Sequence, residues 1–324
     1  MTEPSKEVAR YADMAMFEAE PIDVQAGPQV HLLWMTPDPL GAIAAACKMY
    51  KGEVVRNIAR DVTHAERLDY LEQITKTKLK APFEFVKFHF LIEGVTRAFT
   101  HQLVRQRTAV YAQESLRFAV KEDMPTSLPP SLSGTTGQET PGAEDSTAEY
   151  QRNIWNSAME VIQETYAHLV HSGMPAEDAR GLLPHNVLTR VHYSTDLRAL
   201  LDHAGNRLCT QAQFEWRIVF AKIAESIRNA KIRGGIDGTS VSAPSVDVFG
   251  RDRISDLFAP VCYQTGKCEF KANFDRHCSI RDRVDMFHEN GVAPMEWGDR
   301  EKFGMSAIDP SEWLLNPGAA RKRA

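Results

Sequence analysis

The sequence predicts a mixed α/β (α+β) fold, on three observations. Apolar or alternating runs of strand length recur along the 324 residues. Amphipathic stretches with helical spacing lie between and after them. The proportions, 43% hydrophobic and 25% charged, are those of an ordinary globular protein.

The elements follow in order. VHLLWM, Val30 to Met35, is an apolar run of strand length. TPDPL, with two prolines, then turns into a helix over GAIAAACKMY, where Ala42 to Ala46 serve close packing. HAERLDYLEQI is a second amphipathic helix. In FEFVKFHFLIEG, Val86, Phe88, Phe90 and Ile92 face one way and Lys87 and His89 the other, which predicts a half-buried strand ended by Gly94. VTRAFTHQLVRQR reads as a helix, with Ala98, Leu103 and Val104 on the buried side and Arg97, His101, Gln102 and Arg105 on the polar side. Lys121 to Ser146 is rich in Pro, Ser, Thr and Gly and reads as a long surface loop. A helix follows, with Trp155, Ala158, Met159, Ile162, Tyr166 and Leu169 in one apolar stripe. AEDARGLLP is a short helix, VLTRVHYST a strand and DLRALLDHAGN another short helix. TQAQFEWRIVFAKIAESIRNAKI is a long amphipathic helix closed by Gly234 and Gly235, with Phe214 and Trp216 as core or subunit-interface residues. The remainder of the chain is less regular, and no internal repeat is found.

Composition excludes several classes of function. The length allows one large domain or two smaller ones. A net charge of −5 gives no general attraction to nucleic acid, so any basic residue that matters acts locally. No apolar run approaches the ~18 residues of a transmembrane helix. The polar start MTEPSKEVARYADMAMFEAE does not read as a signal peptide. Five cysteines, an odd number, argue against a secreted disulfide scaffold and make the reducing cytoplasm the expectation. Cys262, Cys268 and Cys278, with His277 beside the last, are zinc-ligand types. Their spacing, five residues then nine, is not a standard zinc pattern. Reduced thiols are the plainer reading and a structural metal the other.

The chemistry concentrates in RQRTAVYAQESLRF, Arg105 to Phe118. Arg105, Arg107 and Arg117 there, and Arg180, Arg198 and Arg207 further on, sit beside strand or helix ends and outside any Lys/Arg run. Arginine is suited to planar, bidentate grips on phosphates and carboxylates, so the pattern points to an enzyme that holds phosphorylated ligands. Surface ion pairs are the alternative for any one of them.

Arg105-x-Arg107, seven residues, then Ser115 resembles the signature of the flavin-dependent thymidylate synthase family. FHFLIEGVTRAFTHQLVRQR resembles that family's lead into the motif. ARGLLPHNVLTRVHYSTDLRALLDHAGNRLCTQAQFEWR resembles its second block, and HLLWMTPDP its first strand and turn. The likeness covers roughly residues 28 to 235.

The resemblance implies a twisted, mostly antiparallel sheet flanked by helices, assembled as a homotetramer with active sites shared between subunits. It implies reductive methylation of dUMP to dTMP, with methylenetetrahydrofolate as carbon donor, NADPH as reductant and FAD as the hydride carrier. Carried over by position, it puts Gln102, Arg105, Gln113, Ser115, Leu116, Arg117, Arg180 and Arg207 at dUMP. The resemblance makes Arg207 the catalytic residue, polarising the pyrimidine. It puts Arg105, Gln106, Arg107, Gln113, Asp196, Leu197, Arg198 and Asp202 at FAD. Residues 1–235 would form the catalytic domain and 236–324 an extension.

The chain departs from the family pattern at several of these positions. Gln106 stands for a His, Gln113 for a Glu, and Asp196 and Asp202 for Asn; Ala81 lacks a common hydroxyl, and a His is missing around Leu79 and Phe85. Ser115, with no His base near it in sequence, reads as a phosphate or backbone ligand rather than a nucleophile. His101 and His192 read as structural polar residues. The same site would also serve a dUMP C5-hydroxymethylase or a UMP C5-methylase, and a non-catalytic flavin- or nucleotide-binding protein is the reading from another class.

Overall fold

The computed structural model describes residues 17–18, 21–129, 132, 145–209, 212–230, 254–255 and 257–262. Cys268, Cys278, His277 and the Gly234–Gly235 helix stop lie outside the described residues. The chain divides into two compact units. One is built from residues up to Gln29, Ile92–Arg105 and Tyr111–His192; the other from Val30–Leu91, Gln106–Val110 and residues from Tyr193 on.

The strands are β1 (Phe17–Glu18), β2 (Gln29–Met35), β3 (Lys87–Thr96), β4 (Ala109–Gln113), β5 (Ala119–Val120) and β6 (Leu188–Asp196). Four of them form a sheet in the order β2-β3-β6-β4, and β1 pairs parallel with β5. The four-stranded sheet is antiparallel, as expected. Thr36 bonds Lys87 across β2 and β3, Leu197 bonds Val86 across β3 and β6, and Glu114 bonds Arg190 across β6 and β4.

In the first unit, α4 (Arg97–Leu103) leaves β3 with Thr96 as its cap, the hydroxyl accepting from Phe99 N at 3.0 Å. The long α5 (Asp145–His171), the short α6 (Ala176–Ala179) and a 3₁₀ turn (Arg180–Leu182) follow. Phe99, Leu103, Leu116, Tyr166, Val187 and Val191 are buried there.

The second unit holds α1 (Pro39–Tyr50), α2 (Ile58–Asp61), α3 (His64–Lys76), a 3₁₀ turn (Ala81–Phe85), α7 (Leu197–Arg207) and α8 (Phe214–Arg228). Proline at N1 and the Asp38 cap start α1, and a Thr63–Glu66 capping box starts α3. Its core stacks Phe88 on Phe90 and Phe90 on Tyr193, at 5.8 and 6.1 Å between ring centroids. Ile254, Phe258 and Cys262 are buried in this unit, and Arg228 Nε donates to Ser255 Oγ at 3.1 Å.

Several local expectations change. Residues 81–85 form a 3₁₀ turn, so β3 starts at Lys87. Gly94 does not end β3, which runs on to Thr96. It sits within the strand at φ +65°, where a Cβ would lie 2.7 Å from Gly27 O, so glycine answers a close backbone approach rather than a stop. Within the arginine motif, AVYAQ forms β4. The segment from Lys121 is not wholly surface: Lys121, Met124 and Leu132 are buried, and Thr126 bridges to Val187. On α5 only Tyr166 of the apolar stripe is fully buried, and Ala158 is exposed.

Candidate active site

In the first unit, α4 and β4 hold the motif between them. Gln102 lies in the last turn of α4 and Arg105 just beyond it, with its side chain exposed. Tyr111 Oη donates to Leu103 O at 2.8 Å and ties β4 back to this helix end. Gln113 Nε2 donates to Thr100 Oγ1 at 2.8 Å. A tight turn follows, in which Phe118 N and Ala119 N donate to Ser115 O and the buried Leu116 anchors the backbone. Arg117 N donates to Ser115 Oγ at 3.3 Å. That bond uses a lone pair of the hydroxyl and leaves its proton able to donate to a ligand.

Two arginines meet on one residue beside this turn. Arg117 Nη2 pairs with Glu177 Oε2 at 3.0 Å, and Arg180 Nε donates to Glu177 O at 3.0 Å. Glu114 has the opposite role. Its carboxylate holds the buried Lys121 Nζ at 2.8 Å and accepts from Thr189 Oγ1 at 3.3 Å, while its carbonyl accepts from Arg97 Nη1 at 3.3 Å.

In the second unit, Gln106 is buried. Tyr193 Oη donates to its Oε1 at 2.7 Å, and its Nε2 donates to Ala199 O at 3.4 Å. Arg107 is exposed. Asp196 caps α7, accepting from Ala199 N at 3.0 Å, and pairs with Lys87 at 3.2 Å. Leu197 is buried, and Arg198 pairs with Glu84. Burial pushes the Asp202 carboxyl up, Arg198 offsets part of that, and Asp196 adds to it. Arg207 closes the far end of α7, about 15 Å from Asp196 along the helix axis. Its guanidinium lies over the Trp216 ring at 4.4 Å, and burial lowers its pKa.

Comparison with known proteins gives this geometry its family. The model of the thymidylate synthase complementing protein family matches residues 31–230, more than half of the chain. The chain belongs to the flavin-dependent thymidylate synthase family. A flavin-dependent thymidylate synthase of Geobacter sulfurreducens is 31% identical over 203 residues, 62% of this chain and 82% of that one. One of Pyrococcus furiosus is 30% identical over 238 residues, 72% of this chain and 93% of that one. A crystal structure of a UMP/dUMP methylase, PolB, from Streptomyces cacaoi bound with 5-Br dUMP has the same fold. It has a TM-score of 0.52 at 19% identity and covers 61% of this chain and 89% of that chain.

The residues that the resemblance marks are collected by the fold within each unit. Gln113, Ser115, Leu116, Arg117 and Arg180 gather around one turn, with Gln102 and Arg105 at the helix end that Tyr111 fastens to β4. Asp196, Leu197, Arg198 and Asp202 share the start of α7, and Arg207 stands apart at its end. Gln106 turns inward, so what this chain keeps of the signature's middle position is a buried strut between Tyr193 and α7.

Sequence reasoning missed Arg97, Glu114, Lys121 and the contact of Trp216 with Arg207. Glu114 and Lys121 are plain in the sequence as charges, but nothing there marks them as a buried pair. Among the described residues no group of three or more His, Cys, Asp or Glu could hold a metal ion. No helix among them is long and apolar enough to cross a membrane.

Proposed function

We propose that this protein makes dTMP by reductive methylation of dUMP, with methylenetetrahydrofolate as carbon donor and NADPH as reductant through FAD. The observation that carries the reading is Arg207. Its guanidinium is half-buried against Trp216, and among the described residues no carboxylate pairs with it. A desolvated, fixed cation with no counter-ion favours an anion that forms beside it. When C5 of the uracil becomes nucleophilic, negative charge grows on the ring nitrogen and its neighbouring oxygen. Arg207 stabilises that charge most when it is largest, and so lowers the barrier.

Ser115 and Arg117, with Arg180, Gln102, Gln113 and Arg105, hold the nucleotide, its phosphate taken by the guanidiniums and the serine hydroxyl. Leu116 sets the backbone of that turn. No side chain here need act as nucleophile. The Arg105 and Arg107 side chains are exposed and make no hydrogen bond or ion pair among the described residues, which suits the diphosphate of a dinucleotide flavin. FAD, when bound, supplies the hydride that reduces the transferred carbon to a methyl group. Gln106, Gln113, Asp196, Leu197, Arg198 and Asp202 complete its contacts, Gln106 through its backbone, since its amide is taken by Tyr193 and Ala199.

The working form is a homotetramer with flavin between subunits. Tyr150, Ile154 and Val161 are exposed apolar residues that recur on one side of α5, a surface that supports self-association. Residues 1–235 are the catalytic domain, in the cytoplasm, and 236–324 an extension.

Purified protein tests the reading directly. It should be yellow and release FAD on heating. With dUMP, methylenetetrahydrofolate and NADPH, the nucleotide should gain one methyl by mass. PolB, which shares the fold, is a methylase of UMP as well as dUMP, so UMP belongs in the same assay. A hydroxymethyl product, or turnover of UMP alone, replaces the proposed reaction with a sister reaction at the same site. A colourless protein that turns over neither nucleotide contradicts the reading.

A further inference from the structure

The turn that carries Ser115 and Arg117 is held from outside at both its entrance and its exit. At the entrance, Glu114 N donates to the backbone carbonyl of Arg190, in β6, at 3.1 Å. At the exit, β5 pairs in parallel with β1, Phe17 opposite Ala119 and Glu18 opposite Val120. A parallel pair of two residues is weak by itself, so its approach has to be fixed elsewhere.

The side chain of the same Arg190 does this. Its Nη2 donates to Pro21 O at 3.3 Å, and its Nε pairs with Glu93 Oε1, on the neighbouring β3, at 3.4 Å. Pro21 follows Glu18 by three residues, at most about 10 Å of chain. The far end of the segment is fastened too. Asp23 Oδ1 accepts from Gln25 N at 2.9 Å and from Ala26 N at 3.2 Å, and the chain then passes Gly27 against Gly94 at the close approach described above. All of these residues belong to the first unit. Pro21 to Gly27 precede residue 31, where the family match begins, so this strap lies outside the matched region.

We propose that Arg190 is a positioning residue for the substrate turn. Its carbonyl receives the entrance of the turn, and its guanidinium fastens the strap whose strand β1 lies along the exit. It acts through the backbone of the turn and not on the nucleotide. The planar fork serves the Glu93 carboxylate and the Pro21 carbonyl with different nitrogens at once, which a lysine cannot do in the same geometry. The role in substrate binding rests on the reading of the protein as a dUMP-binding enzyme.

The test combines backbone amide exchange with steady-state kinetics on full-length, flavin-loaded protein. Arg190→Met should speed exchange at Phe118 and Ala119, whose amides donate to Ser115 O, about 10-fold, and leave α7 and α8 at wild-type rates. The KM for dUMP should rise several-fold, with kcat and FAD content within about twofold, because the turn is loosened while the reacting groups stay in place. Arg190→Lys should fall between wild type and Arg190→Met in both measurements. If Arg190→Met does not fold, Arg190→Lys decides. Exchange at Phe118 and Ala119 that stays at the wild-type rate, or that speeds no more than exchange throughout α5 of the same unit, overturns the assignment. Faster exchange in the turn with an unchanged KM overturns it as well. Wild-type protein that binds no dUMP overturns the functional reading and the substrate role together, and the exchange comparison tells that outcome from failure of the strap alone.

Discussion

The guanidinium carbon of Arg207 lies 4.4 Å from the centre of the Trp216 ring, and Trp216 has no solvent exposure. The indole face gives the arginine an apolar bed and an electrostatic attraction without removing its charge. A carboxylate in the same place would also orient it, but would cancel the field that the pyrimidine needs. Trp216 is held in turn by His203 and Phe220, whose rings lie 6.0 and 5.7 Å from it.

Trp216→Phe keeps an aromatic face but shortens it. A weaker cation–π contact, on the order of 1 kcal/mol, should lower turnover several-fold. FAD content and dUMP affinity should hardly change. Arg207→Ala should lose far more turnover, and Arg207→Lys should recover little of it, because a point charge lacks the planar fork. A Trp216→Phe enzyme with wild-type turnover would show that the indole does not position Arg207.

His203 makes the stability of the second unit depend on pH. Burial, helped by Arg207, holds its pKa at about 4 against an ordinary 6.5, and its Nδ1 is buried with no hydrogen-bond partner among the described residues. The unfolded chain therefore takes up this proton first as pH falls. The contribution is full above 6.5 and lost progressively down to about 4. It is on the order of 2 kcal/mol. Urea unfolding at a series of pH values should show that slope, and His203→Phe should flatten it. Parallel slopes for the two proteins would contradict the assignment.

The Glu114–Lys121 pair should behave as a buried ion pair. Their side chains are 10% and 3% exposed. Lys121→Met leaves the Glu114 carboxylate without its cation and should cost about 3–5 kcal/mol. Adding Glu114→Gln should recover much of that. A double variant as unstable as the sum of the two single variants would show no coupling.

Ser115→Ala should weaken dUMP binding by about 1.5–3 kcal/mol, one hydrogen bond to a charged group, and leave measurable turnover. Complete loss of chemistry with dUMP binding and flavin reduction intact would make Ser115 a nucleophile after all.

Much of the fold is legible in the sequence where one face of an element meets the core. The alternation in β3 marks Val86, Phe88, Phe90 and Ile92 as buried, and they are. The role of Gly94 was illegible, because a glycine that ends a strand and one that admits a neighbouring backbone look alike in one sequence. β4 was hidden for another reason: its residues alternate between half-buried and exposed, and arginines flank it. In the site, the arginines are legible by type and place. Their counter-charges are not, since Glu114 finds Lys121 and Thr189 only after the strands pair. Trp216 reads as core from its helical spacing, but no local pattern announces a neighbour on the preceding helix.

The central claim, that Arg207 drives chemistry at C5 of the uracil, is tested most directly by tritium release from dUMP labelled at C5, with methylenetetrahydrofolate and NADPH present. Flavin-loaded wild-type protein should release tritium in step with a nucleotide product heavier by one methyl, and Arg207→Ala with equal FAD content should release it far more slowly. Wild-type release that Arg207→Ala matches would remove Arg207 from the chemical step, and flavin-loaded wild-type protein that releases no tritium from dUMP or UMP would contradict the account as a whole.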